Sequence, residues 1–440
     1  MQETRRHDPE AEMTPGRILK TYVALTLLST FASSFIWGIN TLFLLDAGLS
    51  ITQAFAANAF FTAGQVLFEV PTGIVADTMG RRMSYLLGAA TLFVSTVLYV
   101  LMWKIHGPFW SWALSSALLG LGFTFFSGAT EAWLVDGLKA TGYQGTLESA
   151  FASGQMAQGA GMLLGTVAGG IIAQATNLGV PYLLRALMLA LTFLVALLWM
   201  QDVGFTPRRG ASIVQEMRSV LRASLDHGFR NPPVRWMMLA GVFSGGVSIY
   251  GFYAMQPYLL ELHGRSGSYA IAGVAAALVA AAQIAGGFIV PWTGKLFRRR
   301  TSALLFGTLA SASMLVLMGL TANFWIVLAL LAGWAVIFAA TMPIRQAFLN
   351  GLIPSEQRAT VLSSDNLLSS SGGVVVQPAL GKVADVWGYA ASYVVASAIE
   401  VLAVPFVLLA RGRRAPSDPI EVSPVTAPAA TKKVLAQRRK

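Results

Sequence analysis

The sequence predicts an all-α membrane protein with twelve transmembrane helices in two pseudo-symmetric six-helix bundles. Its composition, the spacing of its apolar runs and an internal repeat predict this fold class. Of the 440 residues, 55% are hydrophobic and only 12% are charged, whereas a soluble domain carries roughly 25% charged residues. A chain this apolar could not cover a water-facing surface with polar groups, so we expect lipid around it.

The apolar runs are separated by polar turns, and each run is long enough for a helix that spans a bilayer, which needs roughly 20 residues. In the strands of a membrane barrel, apolar and polar residues would alternate over segments of about 10 residues, and these runs show no such alternation. The predicted spans are 20–45, 51–76, 83–103, 109–137, 147–174, 181–200, 235–262, 268–291, 301–320, 324–352, 360–384 and 389–410.

The basic residues are distributed unevenly between the two sides of this topology. With the N-terminus inside, only Lys104, Arg265 and Lys382 of the 31 Lys and Arg residues lie in outer loops, and Arg185 and Arg345 lie within spans. Cytoplasmic loops carry such an excess of positive charge. The bias predicts that both termini are cytoplasmic, and it explains the net charge of +11 without a nucleic-acid partner.

The two halves of the chain resemble each other. Residues 129–138 align with 343–352, residues 44–46 with 259–261, and residues 71–88 with 291–307 with one deletion. The offsets are similar and near half the chain length, which predicts a six-plus-six duplication. Halves repeated in parallel are related by an axis along the membrane normal.

The repeat and the charge pattern divide the chain into five segments. In the longest internal loop, Ser212 and Gln215 form a capping box, and the apolar residues after it have helical spacing. We expect an amphipathic helix on the cytoplasmic membrane surface, with a soluble linker helix as the alternative. The segments are a cytoplasmic tail (1–17), an N-terminal six-helix bundle (18–200), a cytoplasmic linker (201–234), a C-terminal six-helix bundle (235–411) and a disordered basic tail (412–440).

A ten-residue motif lies in the turn between the second and third spans. Its residues Gly73, Asp77, Gly80, Arg81 and Arg82 fit the pattern G-x-x-x-D-x-x-G-[RK]-[RK]. The motif resembles the signature loop of the major facilitator superfamily, and a weaker copy without the Asp lies at 294–300. The resemblance in topology covers roughly residues 18–411, and it is to bacterial proton-coupled members of the family.

In that family the signature loop latches the cytoplasmic side closed in the outward-facing state. The resemblance implies the same role here for the five motif residues, with Asp136 as a partner of Arg81. The alternative is a simple basic turn on the inner side of the membrane.

Two further features bear on the subfamily. The fifth span contains Gly161, Gly165, Gly169 and Gly170, a pattern similar to the antiporter motif, but Thr166 stands where that motif has Pro. Packing of small residues between helices is the alternative explanation. Drug–proton antiporters tend to carry an Arg in the fourth span, and residues 110–128 contain none. The drug-antiporter motifs are therefore incomplete.

Ionisable groups at membrane depth are functional candidates because each costs at least ~2.5–3.5 kcal/mol. Glu69, Glu131 and Arg345 are predicted about 10 Å from the cytoplasmic ends of their spans, and Asp365 slightly shallower. Glu131 and Arg345 are equivalent in the repeat, so we expect them to pair across the two halves when the cytoplasmic side is shut. A proton on Glu131 would weaken that pair. Glu69 or Asp365 could carry the proton instead, and static structural pairs are the alternative.

Two other charges lie within predicted spans. Arg185 is near the outer end of the sixth span, where we expect its long side chain to extend to water. Glu400 is in the middle of the twelfth span, which lies at the periphery in the family. We expect it to face lipid or to be satisfied by a neighbouring side chain.

In the family, the first, fourth, seventh and tenth spans line the substrate cavity. Aromatic side chains with a few hydrogen-bonding groups suit an apolar, cationic or aromatic solute. Packing between helices is the alternative for about half of them. The matching positions are Trp37, Asn40, Phe126, Tyr250, Tyr253 and Gln256.

The resemblance implies a secondary active transporter that works by alternating access, and we predict proton-coupled export of a small amphipathic or drug-like molecule. The alternatives are an importer or facilitator of a small metabolite, or a lipid translocator, whose interior charges bind substrate. An enzyme is not expected, since the four histidines lie outside the spans and no phosphate-binding loop is present. We expect a monomer in the bacterial inner membrane, with lipid and a small-molecule substrate as its partners. We expect a proton as the coupling ion, and no cofactor or metal.

Overall fold

The computed structural model describes residues 13–207, 215, 218, 222, 224–264, 268–354 and 358–420, and most of these residues are helical. The first half contains α1 (Pro15–Trp37), α2 (Asn40–Asp46), α3 (Ile51–Met79), α4 (Arg81–Ile105), α5 (Phe109–Phe126), α6 (Ala129–Ala140), α7 (Leu147–Ala175) and α8 (Gly179–Trp199). The second half contains a π-helical turn (Ser224–Phe229), α9 (Pro232–His263), α10 (Tyr269–Leu296), α11 (Arg300–Leu320), α12 (Phe324–Asn350), α13 (Arg358–Val401) and α14 (Ala403–Gly412).

Long apolar helices account for the predicted spans. Eleven continuous helical stretches of the described chain are long and apolar enough to cross a membrane. The last of them, Thr360–Gly412, contains two predicted spans. The backbone leaves the helical conformation at Gly388 (φ 85°, ψ 166°), and this kink separates the eleventh span from the twelfth. The predicted all-α membrane fold is confirmed.

Two spans that the sequence predicts as continuous are broken in the structure. The first span is interrupted between Trp37 and Asn40, and the fourth between Phe126 and Ala129, where Gly128 has a φ of 68°. A break releases backbone groups from the helical ladder, and non-helical backbone at membrane depth is tolerated where it is buried in protein or lines a cavity. Both breaks lie beside the groups discussed below.

Each half has its own buried core. In α1–α8, the N-half, Phe43 stacks on Tyr182 with a ring-centroid distance of 3.9 Å. In α9–α14, the C-half, Met237 and Phe348 are among the buried residues of a separate cluster. We call the side of the bundle where α1 begins and α14 ends the terminal face, and the opposite side the distal face.

The halves contact each other mainly through α3 with α13 and α7 with α10. Gly170 of α7 and Gly273 of α10 allow close approach, since a Cβ at Gly170 would lie 2.9 Å from the Cα of Gly273. A third contact joins α2 to α9. These contacts leave a space between the halves near the middle of the bundle.

The linker and the tails are described only in part. The predicted amphipathic helix falls largely outside the described residues, although Gln215, Arg218 and Arg222 are helical. At the other end, the Thr301 backbone N–H donates to Asp418 Oδ1 at 2.9 Å, and Ser417 Oγ donates to the Phe348 carbonyl at 2.7 Å. Residues 415–420 therefore pack on the C-half, and 421–440 lie outside the described residues.

Candidate functional site

A cavity of about 280 Å³ lies between the two halves. Aromatic and aliphatic side chains make up most of its wall, and a few amide and hydroxyl groups interrupt it, a composition that is common in small-molecule sites. Its lining residues are Phe61, Thr62 and Gln65 of the N-half, and Ser248, Ile249, Phe252, Tyr253, Val279, Gln283, Trp334, Ala335 and Phe338 of the C-half.

Gln256 closes the cavity on its distal side. Its Oε1 accepts from the Thr41 backbone N–H at 2.9 Å, and its Nε2 donates to the Trp37 carbonyl at 2.7 Å. Both backbone groups flank the break in the first span, so the broken helix offers them to the other half. Gln256 is fully buried. We call the hydrogen bonds that join α9 to the N-half here the distal clasp.

Asp385 makes a second clasp at the distal face. Its carboxylate accepts from the backbone N–H groups of Ile51 at 3.0 Å and Thr52 at 2.9 Å, and from the Thr52 hydroxyl. These N–H groups open α3 and have no partner within their own helix. A carboxylate of the C-half thus caps a helix of the N-half.

The described hydrogen bonds between the halves all lie at mid-depth or toward the distal face. The one closest to the terminal face joins Gln377 Nε2 to Thr62 Oγ1 at 3.2 Å. The halves are therefore joined distally, and the cavity lies below the joined region.

The structure does not bring the six predicted cavity residues together in one cavity. Tyr253 lines the central cavity, and Trp37, Asn40 and Tyr253 line a smaller cavity beside it. Gln256 belongs to the distal clasp. Tyr250 is buried and donates to Ser392 Oγ at 2.5 Å, and Phe126 packs on the ring of Tyr85 at 4.5 Å.

Arg345 pairs with Asp365 inside the C-half. Both guanidinium Nη atoms contact the carboxylate, one of them at 2.6 Å, and Nη2 also donates to the Met237 carbonyl at 3.2 Å. Asp365 is only 2% exposed. Glu131 is exposed, so the predicted pair of Glu131 and Arg345, which concerns a closed terminal face, stays a prediction.

Glu69 lies at the break in the fourth span. Its Oε1 accepts from Ser127 Oγ at 2.6 Å, and Ser127 is the residue between α5 and Gly128. Glu69 is therefore half-buried and bonded within the N-half.

The two other intramembrane charges are both buried. Glu400 faces the interior of the C-half, where it accepts from Ser244 Oγ at 2.9 Å and lines, with Arg345, a cavity of about 80 Å³. Of the two expectations for Glu400, the partnered one is correct. The expectation that Arg185 reaches water is wrong, because Arg185 is 1% exposed and its guanidinium lies 5.9 Å from the ring centroid of Phe123.

The family model of the Major Facilitator Superfamily matches residues 22–299 and 265–439. This chain belongs to the major facilitator superfamily. Membership makes it a multi-pass membrane transporter, in agreement with the predicted resemblance.

Solved structures with the same fold include several transporters. The nucleoside transporter NupG has a TM-score of 0.74 at 11% identity, over 89% of this chain and 99% of that one. A peptide transporter POT has a TM-score of 0.72 at 13% identity, over 91% and 96%. A D-xylose–proton symporter has a TM-score of 0.65 at 18% identity, over 89% and 97%. The comparison with curated proteins gave no match.

The superfamily's signature loop forms a charge cluster on the terminal face. Arg81 pairs with Asp77 at 2.5 Å, and its Nε lies 3.9 Å from an oxygen of Asp136. Gly80 has a φ of 107°, which a residue with a Cβ rarely adopts. The structure thus brings the predicted members together within the N-half, and their role as a latch stays a prediction.

Asp202 joins this cluster, although no sequence motif pointed to it. The Arg82 backbone N–H donates to its Oδ1 at 2.8 Å. Burial raises the pKa of Asp202, and the Arg82 N–H and the charges of Arg82 and Arg81 oppose that rise. The loop after α8 gave no local signal, because the helix that Asp202 caps begins more than 100 residues earlier in the chain.

The glycines that resemble the antiporter motif pack against neighbouring helices. A Cβ at Gly165 would lie 2.8 Å from the Phe31 carbonyl oxygen of α1, and one at Gly161 would lie 3.1 Å from the Leu27 carbonyl oxygen. This close approach of α7 to α1 supports the packing explanation.

Proposed function

We propose that this protein is a secondary active transporter that exports a small amphipathic molecule in exchange for protons by alternating access. The observation that carries the proposal is the cavity between two halves that are joined at the distal face. If the termini are cytoplasmic, as the charge bias predicts, the cavity faces the cytoplasm and is placed to load a solute for export. We place the protein in the bacterial inner membrane as a monomer, without a cofactor.

We infer that Arg345 exchanges partners during the cycle. With the terminal face open, Arg345 is held by Asp365 in the C-half. With the terminal face closed, its repeat-equivalent Glu131 would approach from the N-half and compete for it. A proton on Glu131 would weaken the second pair and favour return to the open form, since removing one charge removes the attraction.

Substitution of Glu131 tests this coupling. We expect Glu131→Gln to abolish proton release from everted vesicles, measured with a proton-sensitive dye, when solute is added to vesicles under an imposed proton gradient. Solute exchange without a gradient should continue, because the cavity is unchanged. A panel of anionic, cationic and neutral fluorescent amphiphiles would serve as solutes.

Glu131→Asp is the matched control, because it keeps a titratable carboxylate at the same position. It should retain proton coupling with an altered rate. Gradient-driven transport by Glu131→Gln at the wild-type rate would contradict the assignment of Glu131, and the same test on Glu69→Gln and Asp365→Asn would then examine the other two candidates.

Uptake of a small metabolite is the second candidate function. Four polar side chains of the central cavity, Thr62, Gln65, Ser248 and Gln283, could bind the hydroxyl or amide groups of such a solute. Accumulation in right-side-out vesicles, but not in everted ones, would favour this candidate over export.

A further inference from the structure

Arg185 is a buried cation in the middle of the N-half. It lies in α8, about 9 Å from the distal end of that helix. Its guanidinium lies 5.9 Å from the ring centroid of Phe123, and Tyr99 and Tyr253 line the same smaller cavity as Arg185. A charged side chain at this depth is expected to have a counter-charge.

No such counter-charge is present in the described part of the chain. Arg185 makes no ion pair there, and its buried Nε and Nη2 have no hydrogen-bond partner. A buried donor without an acceptor costs about 1–3 kcal/mol, and more when it is charged. Such a group calls for an acceptor that the chain itself does not supply.

A second donor without a partner belongs to Asn58. The Tyr182 hydroxyl donates to Asn40 Oδ1 at 2.8 Å, which leaves the Asn40 Nδ2 to donate to Asn58 Oδ1 at 2.9 Å. This chain of bonds fixes the Asn58 amide with its oxygen occupied. Its Nδ2 is buried and has no acceptor among the residues that the structure describes.

Arg185 and Asn58 line the same small cavity, of about 20 Å³, which we call the niche. Tyr253 of the C-half also lines it. Phe61 and Tyr253 line both the niche and the central cavity. A ligand could therefore place a small acceptor group in the niche and an apolar body in the central cavity.

We propose that the niche binds the anionic group of the transported solute, and that the solute is an amphipathic carboxylate. This proposal names the substrate class of the site under Proposed function and rests on that function. A planar guanidinium matches a carboxylate with two parallel hydrogen bonds. Because Tyr253 comes from the opposite half, the bound anion would contact both halves.

Binding to the purified protein in detergent tests the proposal without a gradient or a transport direction. The probes are naphthoate and its neutral isostere naphthamide, measured by calorimetry, with inorganic phosphate and chloride as further arms. We expect naphthoate to bind roughly 10- to 100-fold more tightly than naphthamide, the ratio that a charge-assisted hydrogen bond provides. Equal affinities would overturn the proposal, and stronger binding of phosphate than of naphthoate would overturn the carboxylate assignment.

Two substitutions sharpen the test. Arg185→Gln should remove the preference for naphthoate. Asn58→Asp places a carboxylate beside Arg185, so it should lower naphthoate affinity at least tenfold while raising the melting temperature. Ala322→Asp, which adds the same charge at an exposed distal loop, should change neither. A purely structural role for Arg185 predicts that Asn58→Asp leaves the ratio of the two affinities unchanged.

This outcome is separable from that of the coupling proposal. Naphthoate selectivity in detergent together with proton-independent transport would overturn the coupling and leave the niche standing. Proton-coupled transport of cationic amphiphiles, with no selectivity for naphthoate, would overturn the niche proposal and leave the coupling proposal standing.

Discussion

Asp202 illustrates, at the scale of single residues, how a side chain can stabilise a helix far away in the chain. The N-cap residue of α4 is Gly80, which makes no side-chain hydrogen bond to the helix. Asp202 supplies the missing acceptor from the loop after α8. The cap thus ties α4 to that loop and orients Arg81 and Arg82, the last residues of the signature motif.

Replacing Asp202 separates its cap from its charge. Asp202→Ala should lower the free energy of unfolding by about 1 kcal/mol, the typical worth of an N-cap, measured by thermal denaturation in detergent. Asp202→Asn keeps the Oδ1 acceptor and should have a smaller effect. Equal losses for both variants would show that the charge, and not the cap, stabilises the loop.

The same pair of variants has a pH signature. Burial raises the pKa of Asp202 in the folded state, so the folded protein binds a proton more tightly than the unfolded chain does. This contribution to stability is present at low pH and is lost as the pH rises through the folded pKa. Asp202→Asn should remove that loss.

The broken spans matter most at the scale of helices. The gap between α1 and α2 frees the Trp37 carbonyl and the Thr41 N–H, and Gln256 bonds both. The gap between α5 and α6 places Ser127 against Glu69. Discontinuous helices serve as binding elements in many transporters, and here they hold the distal clasp and one candidate proton site.

Removal of the cap on α3 should loosen the distal clasp. Asp385→Ala removes three hydrogen bonds that α3 donates to the C-half, so we expect the distally open population to rise roughly two- to thirtyfold, the equivalent of one lost cap. Spin labels on Lys104→Cys and Ala322→Cys, both exposed at the distal face, would report the distance between the halves.

Lys382→Gln is the control for this experiment, because Lys382 is an exposed neighbour of Asp385 on α13. It should leave the distance distribution as in the wild type. A distribution that also stays unchanged in Asp385→Ala would mean that the other contacts between the halves, among them those of Gln256, suffice to hold the distal face closed.

At the scale of the whole molecule, the N-half and the C-half can move against each other only if the contacts between them can break. The described polar contacts between the halves are few and distal, whereas toward the terminal face each half has a buried cluster of its own. This arrangement suits rocking of one half against the other around the central cavity.

The orientation of the open side can be measured directly, since the chain contains no cysteine. Ser248→Cys, in the central cavity, should react with a membrane-impermeant maleimide in everted vesicles more than in right-side-out vesicles. Thr41→Cys, which is fully buried in the distal clasp, should react in neither. Reaction of Ser248→Cys only from the outer side would reverse the proposed orientation.

The sequence by itself determined the all-α membrane fold, the family and the charged residues of the signature loop. These depend on hydropathy and on short motifs, which are local properties of the chain. Only the tertiary structure decided that the first and fourth spans are broken, that Arg345 bonds Asp365, and that Arg185 is buried without a counter-charge in the described part of the chain. Such features depend on partners distant in sequence and on which face of the molecule is closed, and hydropathy contains neither.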